Sequence, residues 1–221
     1  YIAGKTNSED LPVKDAIQET KNAGFDGFMA EIEPEEGEFE WSTYFGGEGD
    51  DGFTDITYYG YIYACGVTSS QNSIARNAAY QSSYGGGASD GFFMKIEDKE
   101  EPEWITYFGG AGADTTYAID ADTKNNVYLA GVTSSQSGLT TNGAYQQNFG
   151  GNTDGFLGKF SGNGNVEYST YYGGSGDDGI HDMYIDKLDR PIVFGATSSG
   201  NNISTGRGLN QNKSGRTDAF M

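Results

Sequence analysis

The sequence has little of the material that builds redox and metal centres. Cys65 is its only cysteine and His181 its only histidine among 221 residues. A disulfide within the chain, a Cys-based zinc cluster, an iron–sulfur site and a CxxCH haem site all need more cysteines. The sequence therefore excludes them, and a metal site with several histidines is excluded in the same way.

Basic residues are also scarce, because 13 Lys and Arg stand against 32 Asp and Glu, for a net charge of −19. Nucleic acids and anionic membrane surfaces are bound through Lys and Arg patches, so neither is expected as a partner. No apolar run reaches the length of about 18 residues that a transmembrane helix needs. No membrane insertion is therefore predicted within this sequence.

Proline is rare, with 4 residues, whereas glycine is abundant, with 35, and aromatic residues make up 14% of the chain. Gly-rich turns between aromatic and β-branched stretches are typical of proteins with many short strands. The aromatic content argues against disorder. The composition therefore predicts an all-β protein.

Four motifs recur along the chain in the same order, with a period of about 64 residues. A Thr-Tyr-Phe/Tyr-Gly-Gly block that ends in aspartate occupies Trp41–Asp51, Trp104–Asp114 and Tyr168–Asp178. Asp-Gly/Ala-Phe starts at Asp26, Asp90, Asp154 and Asp218. Gly-x-Thr-x-Ser starts at Gly4, Gly66, Gly131 and Gly195, and Ala-Tyr-Gln occupies Ala79–Gln81 and Ala144–Gln146, with a weaker copy at Ala16–Gln18. These recurrences identify an internal repeat.

Each period predicts four short antiparallel strands. In the third copy they are Tyr117–Asp122, Val127–Val132, Gly155–Phe160 and Val166–Tyr172, with a polar Gly-rich segment between the second and third. Four-stranded units in series are typical of propeller blades. We therefore predict a β-propeller with four-stranded antiparallel blades of about 64 residues, of which about three and a half are present. The predicted units are a partial blade 1–47, blades 48–110 and 111–174, and a partial blade 175–221.

The combined motifs resemble the SBBP repeats, a family named for a seven-bladed β-propeller. The matching residues are Ser169–Asp178, Ile185 and Asp186, Tyr128–Ser134, Ala144–Gln146 and Gly150–Phe156. The fourth copy departs from the pattern, with Leu209 and Asn210 in place of Tyr-Gln and Pro191 at the start of a strand. The resemblance implies a secreted or cell-surface protein, and it implies no catalytic activity.

The predicted strand pattern begins at Tyr1 within a second strand and stops at Met221 within a third. Domains seldom start and stop inside a strand, so a window on a longer polypeptide is expected. Open sheet edges invite association. The expected partners are therefore further copies of the repeat in a parent chain, or a second copy through self-association.

The acidic Gly-rich turns are candidate calcium sites, because Ca²⁺ prefers carboxylate and carbonyl oxygens. The candidate ligands are Asp50, Asp51, Asp55, Asp114, Asp177, Asp178 and Asp182. The alternative is that these aspartates cap turns. The aspartates at 26, 90, 154 and 218 have two interpretations as well, a ring of carboxylates on one face or local bonds to backbone N–H groups.

Three functions remain open. The first is a non-catalytic structural, adhesive or protein-interaction module of a secreted or cell-surface protein, with a surface glycan or protein as partner. The second is a calcium-dependent glycan-binding module. The third is a hydrolase or lyase with its site at the central channel, for which the only hint is the set of atypical residues His181, Asp182, Arg190 and Arg207 in the fourth copy. The first is our prediction, and it includes no enzymatic activity.

Overall fold

The computed structural model describes residues 1–77, 80–97, 99, 101–205, 208–209 and 211–221. Ala79, Arg207 and Asn210, which the sequence analysis singled out, lie outside these residues. The described residues form fourteen β-strands in four antiparallel sheets. Among them there is no helix with the length and apolar character that crossing a membrane requires.

In each sheet, consecutive strands of the chain are neighbours. The first blade contains β1 (Ile2–Thr6), β2 (Asp26–Ile32) and β3 (Phe39–Phe45). The second contains β4 (Asp51–Tyr58), β5 (Ile62–Thr68), β6 (Asp90–Ile96) and β7 (Trp104–Phe108). The third contains β8 (Asp114–Ala121), β9 (Val127–Thr133), β10 (Asp154–Phe160) and β11 (Val166–Tyr172), and the fourth β12 (Asp178–Ile185), β13 (Pro191–Thr197) and β14 (Asp218–Phe220). This is the all-β blade architecture that the sequence predicts.

The first strand of the third blade starts earlier than its sequence pattern indicates. In the third blade, β8 begins at Asp114, not at Tyr117, because a β-bulge interrupts its pairing with β9 between Thr116 and Ala118. The first strands of the second and fourth blades have a bulge at the matching place. A bulge leaves one residue unpaired, and here these residues are Thr54, Tyr117 and His181. The bulge hides the two-residue alternation on which strand prediction depends.

The core lies largely between blades. Phe45 of the first blade packs against Phe53 of the second, with ring centroids 5.3 Å apart. Phe108 of the second blade packs in the same way against Phe156 of the third, at 5.0 Å. Aromatic pairs at this distance add to the stabilisation from burial. All seven residues of β6 are buried, as expected for a strand covered on both faces.

The first strands of consecutive blades lie side by side at the centre of the array, β4 against β8 and β8 against β12. Asp55 of β4 accepts a hydrogen bond from the backbone N–H of Ile119 at 2.9 Å. Asp120 of β8 accepts one from Ile185 at 2.8 Å. These hydrogen bonds join β4 to β8 and β8 to β12.

The long segments between the second and third strands cover the outer strand of the blade. Lys14 pairs with Ser42 of β3, and Arg76 pairs with Ile105 of β7. In the third blade, the N–H of Thr141 donates to the carbonyl of Ser169 in β11 at 3.0 Å. Because an exposed strand edge promotes aggregation, these segments protect the outer rim.

Candidate functional site

The repeated polar motifs meet where one blade contacts the next, and we call each such place a blade joint. The first joint contains Gln18, Asp26, Gly46 and Gly47 of the first blade with Asp51, Thr68 and Ser70 of the second. The second contains Gln81, Asp90, Gly109, Gly110, Asp114, Thr133 and Ser135. The third contains Gln146, Asp154, Gly173, Gly174, Asp178, Thr197 and Ser199. Residues from all four sequence motifs therefore lie in one network.

The aspartate that the later blade contributes to each joint, called the downstream aspartate, is buried and accepts hydrogen bonds from three donors. Asp114 receives the hydroxyls of Thr133 and Ser135, the latter at 2.8 Å. The N–H of Gly110, from the preceding blade, donates to it at 2.7 Å. Asp51 and Asp178 have the same three partners in their own joints. Such donors replace water around a buried carboxylate, which explains the Thr-x-Ser motif.

The aspartate that the earlier blade contributes to each joint, called the upstream aspartate, accepts hydrogen bonds from the described residues on one oxygen only. Asp90 Oδ2 accepts from the N–H of Gly85 at 2.6 Å, and Asp154 Oδ2 from the N–H of Gly150 at 2.8 Å. Asp26 is bonded similarly to Asn22. The Oδ1 atoms of all three are buried and have no hydrogen-bond partner among the described residues. The structure thus shows the local backbone bonds that the sequence offered as one interpretation.

In the second joint, close packing between Asp90 and Asp114 requires a glycine at position 109. The N–H of Gly109 donates to Gln81 Oε1 at 3.1 Å. A Cβ atom on Gly109 would lie 2.6 Å from Asp90 Oδ1 and 2.9 Å from Asp114 Oδ2. Real Cβ atoms do not approach other atoms so closely, so any side chain at this position must displace a carboxylate.

Burial changes the electrostatics of the joints. The pKa of Asp90 is raised to about 7, chiefly by burial and also by the negative charge of Asp114, although hydrogen bonds to Gly85 and Gln81 act in the opposite direction. Burial also raises the pKa of Asp26 and of Asp154, with smaller contributions from Asp51 and Asp178. Desolvation disfavours the charged form of a carboxyl group, which is why all three shift in the same direction.

The structure separates the seven candidate calcium ligands into three groups. Asp51, Asp114 and Asp178 lie buried in different joints. Asp50 and Asp177 are exposed beside them, and Asp50 accepts a hydrogen bond from the N–H of Phe25 at 2.9 Å. Asp55 and Asp182 follow the bulges of β4 and β12. Among the described residues, no three His, Cys, Asp or Glu side chains are grouped so that they could hold a metal ion. Calcium binding stays a prediction.

The bulged positions place polar side chains on the central strands. His181 is exposed in β12, and its ring lies 5.2 Å from that of Tyr117. On the neighbouring first strands, burial raises the pKa of Asp55, and the negative charges of Asp182 and Asp120 also raise it. His181 thus lies in β12 next to Asp182, one of three carboxylates on the first strands that interact with one another.

The repeated aromatic residues belong to the core. Trp41, Trp104, Tyr44, Tyr107 and Tyr171 are all buried. The hydroxyl of Tyr171 donates to the carbonyl of Ser135 at 2.9 Å, so even its polar atom serves the fold. Cys65 is buried in β5, and burial raises the pKa of its thiol to about 12. Gln18, Gln81 and Gln146 are joint residues that sequence reasoning missed, although their recurrence at the repeat period was a usable signal.

Comparison with known families agrees with this geometry. Residues 103–138 match the family model described as SBBP, the beta-propeller repeat. The chain carries an SBBP β-propeller repeat. The match runs from β7 to just beyond β9, so it includes Gly109, Gly110, Asp114, Thr133 and Ser135 of the second joint. The predicted SBBP resemblance is confirmed. No curated protein matches the chain.

Proposed function

We propose that this SBBP chain is a non-catalytic structural and interaction module of a secreted or cell-surface protein. One observation carries the proposal: the recurring polar side chains are buried in the blade joints. Asp51, Asp114 and Asp178 are at most 3% exposed, and their oxygens accept hydrogen bonds from the chain itself. A catalytic acid or base must reach its substrate, so carboxylates in this state serve assembly.

Binding is then the task of side chains that the blades leave exposed. The segments that cover the outer rim carry exposed tyrosines, Tyr80 at 40% and Tyr145 at 68%. The ring of Tyr145 stacks on Tyr172 with centroids 6.4 Å apart. Exposed aromatic rings on loops held by a rigid scaffold are suited to contacts with a glycan or a protein. We propose such a partner at the rim, and the acidic charge disfavours nucleic acid and anionic membranes.

The test measures binding and product release on the same set of candidate partners. Purified chain is incubated with immobilised extracellular polysaccharides and matrix proteins, once with calcium and once with a chelator. Bound chain and released soluble products are both measured. We expect binding without products, equal in both buffers. Tyr145→Ala should weaken it, while Tyr184→Ala, which alters another exposed tyrosine, should not.

Other outcomes of the same assay would contradict the proposal. Product release that disappears in His181→Ala would support the hydrolase or lyase. Binding that needs calcium and is lost in a double variant, Asp55→Asn with Asp182→Asn, would support the calcium-dependent glycan-binding module.

A further inference from the structure

Two Asn-x-Ser sequences lie in the segment between β13 and β14 of the fourth blade. They are Asn202-Ile203-Ser204 and Asn212-Lys213-Ser214. Asparagine followed two positions later by serine or threonine is the acceptor sequence for N-linked glycans when the residue between them is not proline. An attached glycan is bulky and hydrophilic, so it needs a surface position. The surroundings of the two asparagines therefore decide which of them can carry a glycan.

Asn202 lies in an exposed turn that recurs in the blades. Its φ is 64°, and the residues at the same distance from the Thr-x-Ser motif, Ser73 and Gly138, have φ values of 69° and 95°. All three positions are exposed. Since the second and third blades have all four strands, the exposure of this turn does not depend on the neighbours of β14. Asparagine adopts positive φ more readily than most other residues except glycine.

The backbone on both sides of Asn202 is anchored, whereas its own side chain is free. Asn201 Oδ1 accepts a hydrogen bond from the N–H of Ser175 at 3.2 Å. The carbonyl of Ile203 accepts one from the hydroxyl of Tyr172 at 2.6 Å. Within the described part of the chain, the Asn202 side chain makes no hydrogen bond. Its amide is therefore available for reaction, on a turn whose position is fixed.

The second acceptor sequence is held by the fold. Ser214 donates its N–H to Asp218 Oδ2 at 2.7 Å and its hydroxyl to the same oxygen at 3.3 Å. The hydroxyl of Ser204, by contrast, donates to the carbonyl of the adjacent Thr205 at 3.2 Å, a local bond on an exposed surface. Because the serine hydroxyl is part of the acceptor sequence, its use in the fold disfavours the second sequence. These contacts favour Asn202.

We propose that Asn202 is an N-glycosylation site. The proposal goes beyond the proposed function and rests on one part of it, the secreted or cell-surface location. In the reaction, a bond forms between Asn202 Nδ2 and C1 of the first sugar of a lipid-diphosphate-linked oligosaccharide. The bond between C1 and the diphosphate oxygen breaks, and the lipid diphosphate leaves with the bonding electrons. The amide nitrogen loses one proton to the solvent.

The test produces the full chain behind a signal peptide in eukaryotic cells that attach N-linked glycans. Folded chain from the cells and from the medium is treated with peptide N-glycosidase F in heavy-oxygen water, which converts each glycosylated asparagine into a labelled aspartate. Peptide mass spectrometry locates the label, and we expect it at position 202. Ser204→Ala should abolish the label and Ser204→Thr should keep it. Asn201→Ser is the matched control, because it introduces the third blade's residue at a neighbouring position outside the acceptor sequence.

The third blade supplies a second test, remote from β14. Gly138→Asn creates the acceptor sequence Asn-Leu-Thr, and no atom lies within 4 Å of a Cβ added at this position. We expect this variant to carry an additional glycan, because the turn has the same exposure and a positive φ.

Four results would overturn the proposal. They are no label at position 202, a label at Asn212 in its place, a label that persists in Ser204→Ala, and a secreted Gly138→Asn variant without an additional glycan. The rim-binding assay is independent of these measurements. A chain that is labelled at position 202 and binds nothing at the rim would contradict the proposed function alone, so the two failures are distinguishable.

Discussion

Asp114, the first residue of the third blade's inner strand, accepts a hydrogen bond from the N–H of Gly110 in the preceding blade at 2.7 Å. The same contact joins Asp51 to Gly47 and Asp178 to Gly174. A backbone donor of one blade thus solvates a buried carboxylate of the next. Most of the recurring sequence pattern can be understood from this one relationship.

Removal of the Asp114 side chain should destabilise the fold strongly. Asp114→Ala leaves the hydroxyls of Thr133 and Ser135 and the N–H of Gly110 without their acceptor. We expect the free energy of unfolding to fall by about 3 kcal/mol. Urea denaturation measures it, with Asp177→Ala as the control at an exposed aspartate. Equal stability of the two variants would contradict the assigned role.

The glycine between the carboxylates should not tolerate a side chain. Gly109→Ala places a Cβ within 3 Å of both Asp90 and Asp114, and we expect a loss of about 2 kcal/mol. Gly200→Ala is the matched control, because no atom lies within 4 Å of its added Cβ. If the two variants unfold at the same urea concentration, the close packing described around Gly109 is contradicted.

The upstream aspartate should make stability depend on pH. Burial raises the pKa of Asp90 to about 7 in the folded state, whereas the pKa of an aspartate in the unfolded chain is about 4. The folded state therefore keeps a proton that the unfolded state has lost. The resulting stabilisation is complete below about pH 4 and disappears as the pH rises through about 7.

Asp90→Asn should remove this part of the pH dependence. In the unmodified chain, the titration of Asp90 lowers the folding equilibrium constant by about tenfold per pH unit inside that window. Urea unfolding from pH 4 to 8 measures the slope. Asp218→Asn is the control, because this half-buried residue occupies the same repeat position. An unchanged slope in Asp90→Asn would refute the assignment.

An indole hydrogen bond should distinguish two otherwise matching tryptophans. Trp104 Nε1 donates to the carbonyl of Gly162 in the next blade at 3.1 Å, whereas Trp41 Nε1 has no partner among the described residues. Trp104→Phe should therefore cost about 1 kcal/mol more than Trp41→Phe. Thermal or urea unfolding of the pair tests this, and equal losses would contradict it.

Calcium should leave the melting temperature unchanged. The joint carboxylates already accept protein donors, and Asp55 bonds to the backbone of Ile56 and Ile119. Scanning calorimetry with calcium and with chelator provides the comparison. A rise in melting temperature that Asp55→Asn abolishes would instead place a calcium site on the central strands.

The sequence predicts the repeat, the four-stranded blades and, in the third copy, the bounds of three of the four strands to within one residue, because periodicity and turn residues are local signals. It does not predict that β8 starts at Asp114, since the bulge at Tyr117 breaks the alternation. Nor does it show that Asp114 meets Gly110 and Ser135, because that contact depends on how consecutive blades pack. An acidic Gly-rich turn looks the same in sequence whether it binds a cation or accepts protein donors.

The central claim is that Asp90 and Asp114 act together across a blade joint. A double-mutant cycle with Asp90→Asn and Asp114→Asn at pH 8 tests it most directly. We predict a coupling energy of at least about 1 kcal/mol, because the charge of Asp114 raises the pKa of Asp90 and both side chains belong to one joint. A cycle of Asp114→Asn with Asp218→Asn should be additive. If Asp90 and Asp114 are additive within about 0.5 kcal/mol, the joint is not a coupled network and the account is wrong.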